Sequence, residues 1–211
     1  MFKNAFKVLL LMVILLPAAH ATANHKILLL GDSLSASYGM TQSEGWVTLL
    51  NQQLSKQNAP YNIINASISG ETTAGGLSRL PGILAKQSID ALIIELGGND
   101  GLRGFPPKLI KSNLTQMVDL AHAQNIPVYV MNIRIPPNYG PRYSKMFTDV
   151  FAQVGSEKDI TVLPFFMEQI AVDPSLMQND GIHPNRSAQP KIVDIMSKQL
   201  ASIYSEQLSQ Q

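Results

Sequence analysis

The stretch Ala91-Leu92-Ile93-Ile94-Glu95-Leu96-Gly97-Gly98-Asn99-Asp100 decides the fold. Its first four residues are continuously apolar. A strand with one wet face alternates apolar and polar residues. An unbroken apolar run fits a strand covered on both faces, as in a parallel sheet between helices. The run ends at two glycines followed by Asn-Asp-Gly, a turn signal. Outward from this point the same alternation recurs. Lys26 to Leu30, Tyr61 to Asn65, Ala91 to Leu96, Val128 to Met131 and Thr161 to Leu163 read as five short strands.

Helical spacing fills the gaps between them. Gly45 to Gln57 carries Trp46, Leu49, Leu50 and Leu54 on one face. Thr73 to Lys86 reads as a helix weakened by Gly75-Gly76 and Pro81. Pro107 to Gln124 is predicted to turn Leu109, Leu114, Val118 and Ala121 inward, and Tyr143 to Lys158 forms a further helix. Gln189 to Ser205 closes the chain, with Pro190 tolerated in the first turn. Strands alternating with helices predict an α/β protein of three layers, a parallel sheet between two helical layers. Ligands bind such folds at the carboxyl ends of the strands.

The start of the chain is predicted not to belong to this domain. Lys3 and Lys7 precede an apolar run from Val8 to Leu16, broken by Pro17, and Ala21-Thr22-Ala23 offers small residues for cleavage. That order reads as a Sec-type signal peptide over residues 1–23. A membrane anchor would need roughly 20 apolar residues. Residues 24–211 then form a single domain, in the periplasm or outside the cell. Loss of the two lysines moves the formal charge from +1 to −1. Basic residues are scattered, so neither nucleic acid nor a membrane surface is an expected partner. With no cysteine in the chain, disulfides, thiol nucleophiles and cysteine-linked lipid anchors are excluded.

Polar motifs follow the first three strands: Gly31-Asp32-Ser33-Leu34-Ser35, then Ser67-Ile68-Ser69-Gly70-Glu71-Thr72, then Gly97-Gly98-Asn99-Asp100. A fourth, Asp180-Gly181-Ile182-His183-Pro184, precedes the last helix. A serine nucleophile needs a base, usually histidine. His20 leaves with the leader, His25 sits at the new amino terminus as a flexible residue, and His122 lies among polar helix neighbours. Only His183 sits in a loop with a carboxylate, Asp180, three residues before it. Asp180 either orients the imidazole or only caps the backbone of its loop. Ser33 follows Gly31, which permits a sharp turn. The backbone N–H groups of Ser33 and Gly70 and the amide of Asn99 are candidate donors to an oxyanion. No G-x-S-x-G occurs. A metal hydrolase is disfavoured because His183 lacks a second histidine at ligand spacing. Gly70 to Gly76 lacks the lysine of a phosphate loop.

In this order and spacing, the four blocks resemble the GDSL/SGNH hydrolase superfamily. The segments Glu95 to Gly104 and Pro137-Asn138-Tyr139-Gly140 are similar to its bacterial periplasmic thioesterase, lysophospholipase and arylesterase branch. The resemblance implies a flavodoxin-like sheet of five parallel strands. It implies Ser33 as nucleophile, His183 as base, Asp180 as its orienter, and an oxyanion hole of Ser33, Gly70 and Asn99. Asp32, next to the serine, is not the triad acid, and Glu95 and Asp100 are expected to be structural. It also implies walls of an acyl crevice, with Leu102, Pro137 and Tyr139 as candidate substrate contacts. Neither metal nor organic cofactor is required. The expected partner is a small acyl ester or thioester and the expected state a monomer. A carbohydrate O-deacetylase on the same residues, or an inactive ligand-binding module, are the alternatives.

Overall fold

Five parallel strands form one sheet in the computed structural model, which describes residues 25–209. The strands are β1 (His25–Gly31), β2 (Tyr61–Asn65), β3 (Ala91–Glu95), β4 (Val128–Met131) and β5 (Thr161–Leu163), ordered β2-β1-β3-β4-β5. Every pairing is parallel; Ile27 stands opposite Ile63 on one side and Ala91 on the other. The deciding run behaves as its composition requires: all five residues of β3 are buried. The flavodoxin-like order reverses direction between β1 and β3, and such a reversal opens a crevice at the strand ends. The predicted leader, Met1 to Ala23, lies outside the described residues. Among the described residues no helix is long and apolar enough to cross a membrane.

Among the described residues six α-helices accompany the sheet: α1 (Trp46–Lys56), α2 (Thr73–Leu84), α3 (Gly98–Leu102), α4 (Pro107–His122), α5 (Pro141–Lys158) and α6 (Gln189–Ser209). α1 packs on α6, while α4 packs between α2 and α5. Their buried residues fall at helical spacing: Trp46, Leu50 and Leu54 on α1; Phe147, Phe151 and Val154 on α5. Each fully buried Leu, Ile or Phe contributes about 1.5–3 kcal/mol, which explains why α2 persists across Pro81. Leu80 and Leu84 anchor α2, and Gly76 lets it lie against Leu96, where a Cβ would collide.

The structure corrects several expectations. Leu109 is not inward but 46% exposed. Leu114, Val118 and Ala121 are buried as expected, but the stripe of α4 begins at Ile110 and includes Met117. α5 begins two residues early because Pro141 occupies a first-turn position that needs no N–H. His25 is not a loose terminus: its N–H donates to the Pro60 carbonyl (2.8 Å), and its ring meets Tyr204 edge-on. The turn signal after β3 is wound into α3, entered through Gly97 at φ 117.

Candidate active site

Ser33, His183 and Asp180 come together across the strand ends. His183 Nε2 lies 2.8 Å from Ser33 Oγ, and Nδ1 lies 2.6 Å from Asp180 Oδ2. Partial burial raises the Asp180 carboxyl. The His183 N–H, its imidazole and the Ile182 N–H outweigh that and hold it at about 2. An ionised carboxylate only accepts, so Nδ1 carries the imidazole proton and Nε2 is free to accept from Ser33. The two readings of Asp180 prove compatible. Oδ1 caps the loop, accepting from the N–H groups of Ile182 (2.9 Å) and His183 (3.0 Å), while Oδ2 faces the ring.

This loop is pinned by its flanks. Gln178 N–H donates to the His183 carbonyl (2.8 Å) and Asn185 N–H to the Leu176 carbonyl (2.8 Å). The Asn185 side chain donates to the carbonyls of Ser175 and Met177 and caps the turn Arg186–Ala188.

On the serine side, Gly31 has a different role from the one its sequence position suggests. It adopts no left-handed turn. A Cβ there would lie 2.5 Å from Glu95 Oε2 and 2.7 Å from Ser67 Oγ, so glycine is needed for close approach. Behind Ser33, Asp32 is buried. Its Oδ1 accepts from Leu34 N–H (3.1 Å) and its Oδ2 from Asn99 Nδ2 (3.1 Å). Burial raises the Asp32 carboxyl to about 6, against the Leu34 N–H, the His183 charge and the Asn99 amide, which lower it; the charge of Asp100 adds to the rise. Glu95, also buried, accepts from Ser35 Oγ (2.7 Å), and desolvation together with the Asp32 charge pushes it well above the carboxylate range. Asp100 accepts from the N–H (2.9 Å) and hydroxyl (2.6 Å) of Thr73, tying α3 to the start of α2.

Gly70 sits in the left-handed region (φ 80), exposed, and its carbonyl accepts from Arg103 (3.3 Å). Its segment is held to β1 by hydrogen bonds from Ala66 N–H to the Leu29 carbonyl and from Ile68 N–H to the Gly31 carbonyl.

A cavity of about 560 Å³ opens beside Ser33, Asn99 and His183. Its walls are apolar: Leu34, Leu102, Ile133, Ile135, Phe165 and Met177 among others. Of the expected substrate contacts, Leu102 and Pro137 line it. Tyr139 does not; its hydroxyl donates to the Leu102 carbonyl (2.8 Å) and props that wall from behind. Gly70 is likewise absent from the lining. Sequence reasoning missed Phe165, Met167 and Ala171, which follow β5 and line the cavity, although the strand-end rule points there as well. It also missed the Arg134–Glu168 ion pair (2.9 Å) on the same wall.

The model of the GDSL-like lipase/acylhydrolase family matches residues 29–189. The chain belongs to that family. It is 45% identical over 183 residues to an arylesterase of Vibrio mimicus, covering 87% of this chain and 92% of that protein. It is 44% identical over 200 residues to thioesterase 1/protease 1/lysophospholipase L1 of Escherichia coli K12, covering 94% and 95%. Among solved structures, the psychrotrophic esterase EstA of Pseudoalteromonas sp., inhibited by monoethylphosphonate, superposes with a TM-score of 0.85 at 48% identity, covering 86% of this chain and 100% of that one.

Proposed function

We propose that this chain is a serine esterase and thioesterase that hydrolyses acyl esters and acyl thioesters through an acyl-enzyme. Membership of the GDSL-like family makes it an ester-bond hydrolase. The observation that carries the finer reading is the unbroken path from Ser33 Oγ to His183 (2.8 Å) and on to Asp180 (2.6 Å), at the edge of an apolar cavity.

In this reading Ser33 Oγ attacks the substrate carbonyl as its proton passes to His183 Nε2, and Asp180 steadies the imidazolium. The carbonyl oxygen becomes an oxyanion, met by the backbone N–H groups of Ser33 and Gly70 and by Asn99 Nδ2. The carbon–oxygen or carbon–sulfur bond to the leaving group breaks, and His183 returns the proton to that alcohol or thiol. Water, activated by the same imidazole, then attacks the acyl-enzyme and releases the carboxylic acid with Ser33 restored. No step calls for a metal or organic cofactor.

The cavity walls favour an acyl chain over a sugar, since methylenes gain about 0.8 kcal/mol each on leaving water. Aryl esters, lysophospholipids and acyl-CoA are the proposed substrates. The relatives' names, arylesterase and thioesterase 1/protease 1/lysophospholipase L1, support that range. The test is a hydrolysis panel of acyl-CoA thioesters, lysophospholipids, aryl esters and acetylated sugars, with Ser33→Ala as control. Activity confined to acetylated sugars would transfer the site to a carbohydrate deacetylase. A fluorophosphonate that leaves Ser33 unlabelled would point to a binding module. We propose further that residues 1–23 direct export and are cleaved after Ala23, which N-terminal sequencing of the exported protein tests. Sedimentation tests the proposed monomer.

A further inference from the structure

One aromatic ring lies against the imidazole and has no part in the site described so far. Tyr38 stacks on His183 with ring centroids 4.1 Å apart and planes inclined by 28°. Tyr38 is 47% exposed, so burial of its own surface does not explain its position. Nor does it line the cavity.

The backbone holds it there against local preference. Ser37 adopts φ 61, in the left-handed region that non-glycine residues disfavour. Gly39, at φ 72, follows on the other side. Ser37 is buried with its hydroxyl against Gly45, where any Cβ would collide. A Cβ on Gly39 would in turn lie 2.5 Å from Gln178 Oε1. Strain of this kind persists only where the surroundings over-determine it.

Gln178 supplies that determination. Its Nε2 donates to the Tyr38 carbonyl (2.8 Å) and to the Pro184 carbonyl (3.0 Å). Its backbone N–H donates to the His183 carbonyl (2.8 Å). One residue thus fixes the main chain of both stacked partners, although Tyr38 and His183 are far apart in sequence. The Asp180 carboxylate is 36% exposed, so solvent reaches the Asp180–His183 pair and competes for its hydrogen bond.

We infer that Tyr38, clamped by Gln178, is a positioning residue: its ring covers one face of His183 and holds the imidazole in line between Asp180 and Ser33. The inference rests on His183 being the general base. Tyr38 touches no substrate in this scheme. It acts by restricting tilt of the imidazole and by shielding the Nδ1–H to Asp180 bond from water.

The experiment compares Tyr38→Ala, Tyr38→Phe and Gln178→Leu with the parent chain. Turnover of an aryl ester is measured, and the downfield imidazole proton of His183 is followed by NMR. Tyr38→Ala should lower kcat roughly tenfold, the upper range for an aromatic pair, with KM changed less than about twofold. Its Nδ1 proton should broaden through solvent exchange. Tyr38→Phe keeps the ring and should restore both readouts. Gln178→Leu, which frees the clamp but keeps the ring, should lie between. Parental kcat and a sharp proton in Tyr38→Ala would overturn the inference. So would an equal loss in Tyr38→Phe, which would assign the effect to the hydroxyl, or a rise in KM alone, which would make Tyr38 a substrate wall. His183→Ala separates the two readings. If it turns over normally, the base assignment falls. If it is inactive while Tyr38→Ala is fully active, only the positioning role falls.

Discussion

Replacing Asp32 by asparagine tests the charge buried beneath the proposed oxyanion site. Asp32 is 3% exposed, and its carboxyl is raised from 3.8 to about 6, chiefly by desolvation. Between roughly pH 4 and 6 the native state therefore holds this proton more tightly than the unfolded chain. Stability from this group falls as pH rises through that window. The rise corresponds to roughly 3 kcal/mol at neutral pH. Glu95, fully buried beside it, is likewise pushed well above the usual carboxylate range, by desolvation and by the Asp32 charge. In Asp32→Asn the charge and its cost disappear together. Relative to the parent chain, the variant should gain stability between pH 4.5 and 7.5 by up to roughly 3 kcal/mol.

The same change should damage turnover. Leu34 N–H needs the oxygen of the introduced amide, so its NH₂ group faces Asn99 Nδ2, donor against donor. Asn99 relieves this by turning its amide over, which brings its oxygen to where a donor is required. Loss of one oxyanion donor costs roughly 10²–10³ in kcat. Urea unfolding at the two pH values and kcat on an aryl ester measure both effects. A stability difference that does not change with pH would refute the buried charge. A gain in stability with parental kcat would refute the coupling of Asp32 to Asn99.

Asp180→Asn should lower kcat by roughly 10²–10⁴, because an amide can donate to Nδ1 and favours the wrong tautomer. Its stability deficit should be full above about pH 4 and shrink as pH falls towards 2, where the parent carboxylate is itself taking up its proton; a deficit undiminished at pH 2 would contradict this. Gly101→Ala places a Cβ 2.6 Å from Ile135 Cγ2 and 2.7 Å from Phe147 Cε2. Overpacking of this kind costs about 1–3 kcal/mol, so the melting temperature should drop by several degrees, and an unchanged melt would show that the wall yields freely. Ala171, exposed and on the cavity wall, offers a test of chain length. Ala171→Phe should shift kcat/KM towards shorter acyl esters, by roughly fourfold for each methylene displaced. An unaltered chain-length profile would place the acyl chain elsewhere.

The strands were legible because each is short, apolar and bounded by turn residues. Covered faces and alternating helices pointed to a parallel sheet between two helical layers, the flavodoxin-like arrangement came only with the family resemblance, and β2, β4 and β5 fall on their expected residues. Leu109 shows the limit. Spacing alone fits more than one stripe on α4, and packing against α2 and α5 selects the one that begins at Ile110. α3 was illegible for another reason. Its five residues, Gly98–Leu102, include two glycines, so intrinsic propensity argues against a helix. It forms where Asp100 is bonded to Thr73 and Gly101 packs against Phe147, contacts that local sequence does not contain.

The candidate site divides along the same line. Asp180 and His183 are three residues apart, and that spacing alone lets one carboxylate bond two backbone N–H groups with Oδ1 and the imidazole with Oδ2. The two backbone bonds fix the plane of the carboxylate, so capping is what aims it. A unit closed within four residues can be read from sequence, and so can a serine placed by the strand before it. Tyr38, Gln178 and Phe165 leave no such local sign. Tyr38 acts on a ring brought to it by the fold, Gln178 joins two loops, and Phe165 becomes a cavity wall only because β5 lies beside β4. The groups proposed to make and break bonds are thus set by local chemistry. Those that hold or enclose them are set by tertiary contact, and substitution there should alter rate and chain length while leaving the reaction type intact.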